Sequence, residues 1–198
     1  MRIAIIDYGM GNLYSVEQAL KRLGADVIVT NDLEQLNASE AYVLPGVGAF
    51  PDAMTRLRDT GLATFVQSTK KPLLGICLGM QLMFEQSDEV RPTDGLGIFK
   101  GRIQKFKDVP RIPHMGWNQL TFTNEEEIED GFVYFVHSFY GVDLAPSQLV
   151  AYANYGDVQV PAVVAKDNYT GMQFHPEKSS KVGMTLLEQW LQKVGATC

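Results

Sequence analysis

The chain has 198 residues, 17 Lys and Arg against 23 Asp and Glu, and a formal net charge of −6. That length suits one domain, spanning residues 1–198, with a substantial core, and the acidic balance argues against nucleic acid as a partner. No apolar run approaches the roughly 20 residues of a membrane helix, and two cysteines, Cys77 and Cys198, make no disulfide framework. The opening MRIAIIDYGMGN turns polar too soon for a signal peptide, so a cytoplasmic protein is expected.

The elements follow in chain order. Arg2–Ile6 is a β-branched run ending at Asp7. Leu13, Val16, Leu20 and Leu23 recur at helical spacing, and Gly24 is a stop signal. Asp26–Thr30 and Ala41–Leu44 read as strands, the second ended by Pro45-Gly46. One helix is expected over 52–70 and a strand over 72–75. Later strands are expected over 101–106, 117–122, 132–136, 149–154, 162–166 and 169–173. The acidic run 124–130 reads as a solvated loop. A closing amphipathic helix starts near Ser179 or Ser180, either of which can cap it, and turns Val182, Leu186, Leu187 and Trp190 to the sheet. Strands alternating with helices predict an α/β fold: a mostly parallel central sheet flanked by helices, with a strand-rich second half. Ligands of such sheets sit at the carboxyl ends of the strands. Residues 7–12, 45–48 and Cys77 all follow strands and should gather on one edge.

Within PLLGICLGMQ, residues 72–81, Gly75, Cys77 and Gly79 form G-x-C-x-G between a strand and a helical pattern. This is a sharp strand-to-helix turn with a nucleophile at its apex, flanked by residues without bulky side chains. The apex side chain is expected to be pushed into the open beside a helix N-terminus. The partial positive charge there favours a thiolate.

A thiol nucleophile needs a base, and the base needs an orienting group. His175 lies in MQFHPEKSS. Pro176 biases it toward extended backbone, where residues i and i+2 share a side, so Glu177 can reach its imidazole. His137, in YFVHSFY, reads as a partly buried strand-end residue, and His114, in RIPHMGWN, as a surface residue. Cys and His residues at metal-ligand spacing are too few for a zinc site. The Pro45-Gly46-Val47-Gly48 turn offers backbone N–H groups to a substrate oxyanion, and the N–H of Leu78 is a natural second donor. Two glycines flank Val47, so its peptide can flip between pointing at and away from that oxygen. Tyr8-Gly9-Met10-Gly11-Asn12 is not G-x-G-x-x-G and carries little weight as a phosphate site. These residues alone also fit a stand-alone cysteine hydrolase, or a binding subunit that has kept the fold.

G-I-C-L-G-M-Q followed by F-H-P-E resembles the class I, or triad, glutamine amidotransferases. With DYGMGN, LPGVGAF, PHMGWN, YFVHSFY and QFHPEKS, the chain is similar nearly end to end to the branch serving imidazole glycerol phosphate synthase. The resemblance implies a flavodoxin-like fold and hydrolysis of glutamine through a cysteine thioester, with no cofactor and no metal. Cys77 would be the nucleophile, His175 the base and Glu177 its orienter. Val47 and Leu78 would be the oxyanion donors. Gly48, Gln81, Ser138 and Phe139 would hold glutamine. Trp117, Tyr134 and Lys178 would face a (β/α)8-barrel cyclase as heterodimer partner, with Met10 and Asn12 on the same edge. That partner would take the ammonia.

Overall fold

The structure, a computed structural model, describes residues 1–123 and 131–197. The expected acidic loop therefore lies outside the described residues. The chain runs β1 (Arg2–Ile6), α1 (Leu13–Arg22), β2 (Asp26–Thr30), α2 (Leu33–Asn37), β3 (Ala41–Leu44), α3 (Phe50–Asp59), α4 (Leu62–Ser68), β4 (Leu73–Ile76) and α5 (Leu78–Leu82). Then follow β5 (Phe84–Ser87), β6 (Thr93–Asp94), β7 (Phe99–Lys105), β8 (His114–Gln119), β9 (Thr121–Phe122), β10 (Phe132–His137) and β11 (Phe139–Val142). It ends with β12 (Leu149–Tyr155), β13 (Val158–Lys166), β14 (Tyr169–Met172) and α6 (Ser180–Thr197).

An eight-stranded sheet has the order β2-β1-β3-β4-β14-β13-β12-β9. It is parallel from β2 to β14 and antiparallel from β14 to β9. Its parallel strands β1, β3 and β4 are buried on both faces, which is why they read as apolar runs. Ile3 and Ile5 pack with Val16 and Leu20 of α1 and Leu187 and Trp190 of α6. Their neighbours Ala4 and Ile6 face Phe50 and Leu57 of α3 and Val66 of α4. The alternation follows from the two-residue repeat of a strand.

Two smaller sheets complete the strand-rich half: β10-β8, and β11-β7-β5-β6. The expected helix 52–70 is two helices, because Gly61 takes φ +74° between them. The strand expected over 117–122 is β8 and β9. The short α2, β5, β6 and β11 carry no periodicity strong enough to predict them. Ser179 does not act as a free helix cap. Its hydroxyl accepts from Tyr134 N at 2.9 Å and donates to the His175 carbonyl at 2.6 Å.

Candidate active site

The turn after β4 has the expected form. Cys77 takes φ +54° and ψ −112°, a conformation that a side-chain-bearing residue holds only where its surroundings impose it. Its N–H donates to the Met172 carbonyl at 2.8 Å, extending the β4–β14 ladder by one residue. The glycines answer to packing. A Cβ on Gly79 would overlap the Leu44 carbonyl oxygen, and one on Gly75 would press on the backbone of Gly79 and Met80. One expectation needs correction: the thiol is not in the open. Cys77 is 7% exposed, and the Val136 carbonyl lies 4.0 Å from its sulfur. The β10–β11 connection roofs the turn, so the sulfur opens only into a cavity. The helix that follows is five residues long, so its first N–H groups matter more than a macrodipole. Leu78 supplies one of them.

His175 stands three residues beyond the end of β14, next to β4 in the sheet. Its N–H donates to the Tyr134 carbonyl at 3.0 Å, and its own carbonyl accepts from the Ser179 hydroxyl, so the backbone is pinned on both sides. His175 is extended, as Pro176 requires, but Pro176–Lys178 coils into a 3₁₀ turn. It is this turn, not an extended run, that brings Glu177 Oε1 to 2.9 Å from His175 Nδ1. Glu177 is 1% exposed at its side chain, and its Oε2 has no hydrogen-bond partner among the described residues. The Cys77 sulfur is near enough to the imidazole to act on its titration. Burial pushes the His175 pKa down, but the Cys77 sulfur and the Glu177 carboxylate outweigh it and bring it to about 9. At neutral pH the imidazole of His175 therefore rests protonated.

A cavity of about 370 Å³ opens over the sulfur, a size suited to a small polar metabolite. Val47, Gly48, Cys77, Leu78, Gln81, Ser138, Phe139 and His175 line it. Glu177 stands behind His175. Glu89 and His137 also line the cavity, which their own segments do not foretell. Glu89 is held by the Phe50 N–H at 2.9 Å. Burial raises its pKa, the Phe50 N–H opposes this, and Asp52 adds to it. Nothing in the local sequence marks Glu89, which reaches the cavity through the loop after β5.

Gln81 donates to the Phe139 carbonyl at 2.9 Å and to Gln173 Oε1 at 3.0 Å. Sequence reasoning misses Gln173 as well, although it lies two residues before His175 in QFHPE, the spacing that shares a face in extended chain. His137 ends β10 as expected but is buried rather than partly buried, and His114 is not at the surface. His114 is 3% exposed, stacked 3.9 Å from the Tyr155 ring and 4.7 Å from the Phe135 ring. Its Nδ1 is 3.1 Å from His137 Nε2. Burial lowers the pKa of His114 to about 4 and is the main cause lowering that of His137 to about 3, so both are neutral.

The segments after β1 and β3 meet beside Cys77. Tyr8 donates its buried hydroxyl to the Pro45 carbonyl at 2.9 Å, and a Cβ on Gly48 would meet the Met10 side chain. The Tyr8-to-Asn12 segment thus braces the 45–48 turn. Asn12 caps α1 by accepting from Ser15 N at 3.4 Å. Trp117 is 51% exposed, with its ring 6.1 Å from that of half-buried Tyr134, and Lys178 is exposed. None of these three lines the cavity.

A family model described as glutamine amidotransferase class-I matches residues 4–194. An imidazole glycerol phosphate synthase subunit HisH of Exiguobacterium sibiricum is 56% identical, covering 95% of this chain and 93% of that protein. The protein of the same name from Geobacillus thermodenitrificans is 51% identical, covering 96% and 94%. Among solved structures, a glutamine amidotransferase superposes with a TM-score of 0.78 at 20% identity, over 98% of both chains. PurLQS from Thermotoga maritima gives 0.70 at 19% identity, over 99% of this chain and 98% of that one. A family model matched over residues 4–194 and relatives more than 50% identical across nearly the whole sequence agree: the chain belongs to the class I glutamine amidotransferase family.

Proposed function

We propose that this chain is the glutaminase subunit of an imidazole glycerol phosphate synthase, acting as one domain and serving histidine biosynthesis in the cytoplasm. The observation that carries the chemistry is the Cys77–His175–Glu177 arrangement at the floor of the cavity. The synthase assignment draws on the names of the relatives that match end to end. The Cys77 thiolate attacks the side-chain amide carbon of glutamine. The N–H groups of Val47 and Leu78 receive the charge that develops on the oxygen. His175 gives its proton to the leaving nitrogen, ammonia departs, and a γ-glutamyl thioester remains. His175, now neutral, takes a proton from water as that water attacks the thioester. Glutamate leaves and the thiolate returns. Glu177 holds the imidazole and stabilises its charged form. Glu89, the carboxylate on the cavity wall, is suited to the α-ammonium of glutamine, with Gly48, Gln81 and the backbone at Ser138 and Phe139 holding the rest.

Ammonia must reach an acceptor before it is lost. The exposed edge bearing Trp117, Tyr134 and Lys178, with Met10 and Asn12 nearby, is the surface for a (β/α)8-barrel cyclase. The Val47 peptide is the gate: a missing oxyanion donor is worth about 2.7–4 kcal/mol, or 10²–10³ in rate. Partner and nucleotide binding then favour the competent conformer. The test is glutaminase turnover of the isolated chain, then with cyclase, then with cyclase and its nucleotide substrate. Turnover should rise at least a hundredfold across the series. A free chain as fast as the liganded complex removes the gate, and a complex with no glutaminase activity removes the function.

A further inference from the structure

Gln173 is fully buried between β14 and His175 and has no part in the proton transfers above. Its side-chain amide bridges Gln81 and the nucleophile: Oε1 is 3.0 Å from Gln81 Nε2, and Nε2 is 3.9 Å from Cys77 Sγ. Which end of the amide faces the sulfur is decided by the neighbours. The Phe139 carbonyl can only accept, so the Gln81 atom 2.9 Å from it is the NH2 group. That same NH2 faces Gln173, whose atom there must be the oxygen. The Gln173 NH2 is therefore turned to the sulfur.

The far side of the Phe139 carbonyl is fixed in the same way. His137 Nδ1, 2.8 Å away, must carry a proton, which leaves Nε2 to accept from His114 Nδ1–H. His114 Nε2 then accepts from the Asn118 amide at 3.3 Å, and that amide also donates to the Asn154 carbonyl at 2.8 Å. Each donor in this run has an acceptor, and reversing one amide would break two contacts.

We propose that Gln173 is a further catalytic residue of this site, whose side-chain N–H donates to the Cys77 thiolate and holds it for attack. This rests on Cys77 being the glutaminase nucleophile. A separation of 3.9 Å is long for such a bond, as resting catalytic contacts often are, and a charge-assisted bond shortens when the sulfur is ionised. The other ionisable groups near the sulfur are His175 from the turn after β14, Tyr8 from the loop after β1, His137 at the end of β10 and Glu89 on the cavity wall. Tyr8 and His137 direct their protons to the Pro45 and Phe139 carbonyls, so Gln173 is the uncharged side chain that turns an N–H to the sulfur. A merely space-filling role would be met as well by an apolar side chain of the same length.

The test compares Gln173→Met with Gln173→Glu in the full chain, with folding checked by circular dichroism. Gln173→Glu keeps an oxygen for Gln81 but sets a carboxylate against the sulfur. The rate of Cys77 alkylation by iodoacetamide is followed against pH, with the labelled peptide identified by mass spectrometry. The pH midpoint should rise by about one unit or more in Gln173→Glu and by less in Gln173→Met. Glutamine turnover with the cyclase should fall about 10- to 100-fold in Gln173→Met, the range for losing one hydrogen bond to a charged group, with KM nearly unchanged. Unmoved alkylation midpoints and wild-type turnover overturn the proposal. If the buried carboxylate unfolds Gln173→Glu, Gln173→Met carries the test. A wild-type chain that hydrolyses no glutamine with its cyclase would instead sink the glutaminase reading, and the alkylation profiles would still judge the Gln173 contact.

Discussion

Cys77 and His175 leave the central sheet from neighbouring parallel strands, β4 and β14, whose last paired residues are Ile76 and Met172. The sheet register therefore sets the distance between Cys77 and His175, and no flexible loop has to bring them together. The Cys77 N–H bonded to the Met172 carbonyl extends that register into the turn itself. A site built on paired strands holds its geometry better than one carried on loops.

Replacing the nucleophile should separate the two nitrogen sources. Cys77→Ala in a complex with the cyclase should lose glutamine-dependent synthesis by about 10³-fold or more, because no thioester can form. Synthesis supplied with ammonium salt should be unchanged. Near wild-type use of glutamine by the variant would take Cys77 out of the mechanism.

The orienting carboxylate should matter less than the base. Glu177→Gln keeps a group able to accept from His175 Nδ1 but removes the charge that stabilises the imidazolium. Turnover should drop by about 10- to 100-fold, and His175→Ala should fall further, since the members of such a unit do not act additively. Steady-state kinetics on both variants decides, and a His175→Ala chain that turns over normally would contradict the assignment.

Stability should fall on both sides of neutrality, for opposite reasons. His114 and His137 are held neutral by burial, with pKa values lowered to about 4 and about 3. The unfolded chain takes up their protons near pH 6.5, so stability is lost as pH falls from about 6.5 toward 3, by up to about 1.4 kcal/mol per pH unit for each. His175 behaves in reverse. Burial lowers its pKa, but Cys77 and Glu177 raise it to about 9, so its contribution is complete below pH 6.5 and lost as pH rises through 9. Urea unfolding from pH 4 to pH 10 should show both limbs. His114→Phe should flatten the acid limb, and an acid slope identical to wild type would show that His114 is not the residue titrating there.

Gly79→Ala should be far more damaging than an ordinary helix substitution. The new methyl would overlap the Leu44 carbonyl where β3 and α5 cross, and neither backbone can yield cheaply. A loss of about 3 kcal/mol or more is expected, seen as a lower urea midpoint at constant m. A midpoint within error of wild type would show that the two elements are not so closely packed.

Local sequence determined the elements whose cause is local. The apolar runs of β1, β3 and β4 reflect burial on both faces, and G-I-C-L-G marks the turn because Gly75 and Gly79 lie where backbones nearly touch. His175 and Glu177 are legible as a pair because they are two residues apart. Only tertiary structure decided the rest. Gln173 meets the sulfur because β14 pairs with β4, and Glu89 reaches the cavity through a loop that no periodicity marks. His114 looks like a surface histidine in its own segment, and it is buried because Phe135 and Tyr155 arrive from β10 and β12 to cover it. Short-range pattern records which face of an element is apolar. It does not record which distant strand supplies the neighbour, and in this site the neighbours set burial, protonation and the direction of each hydrogen bond.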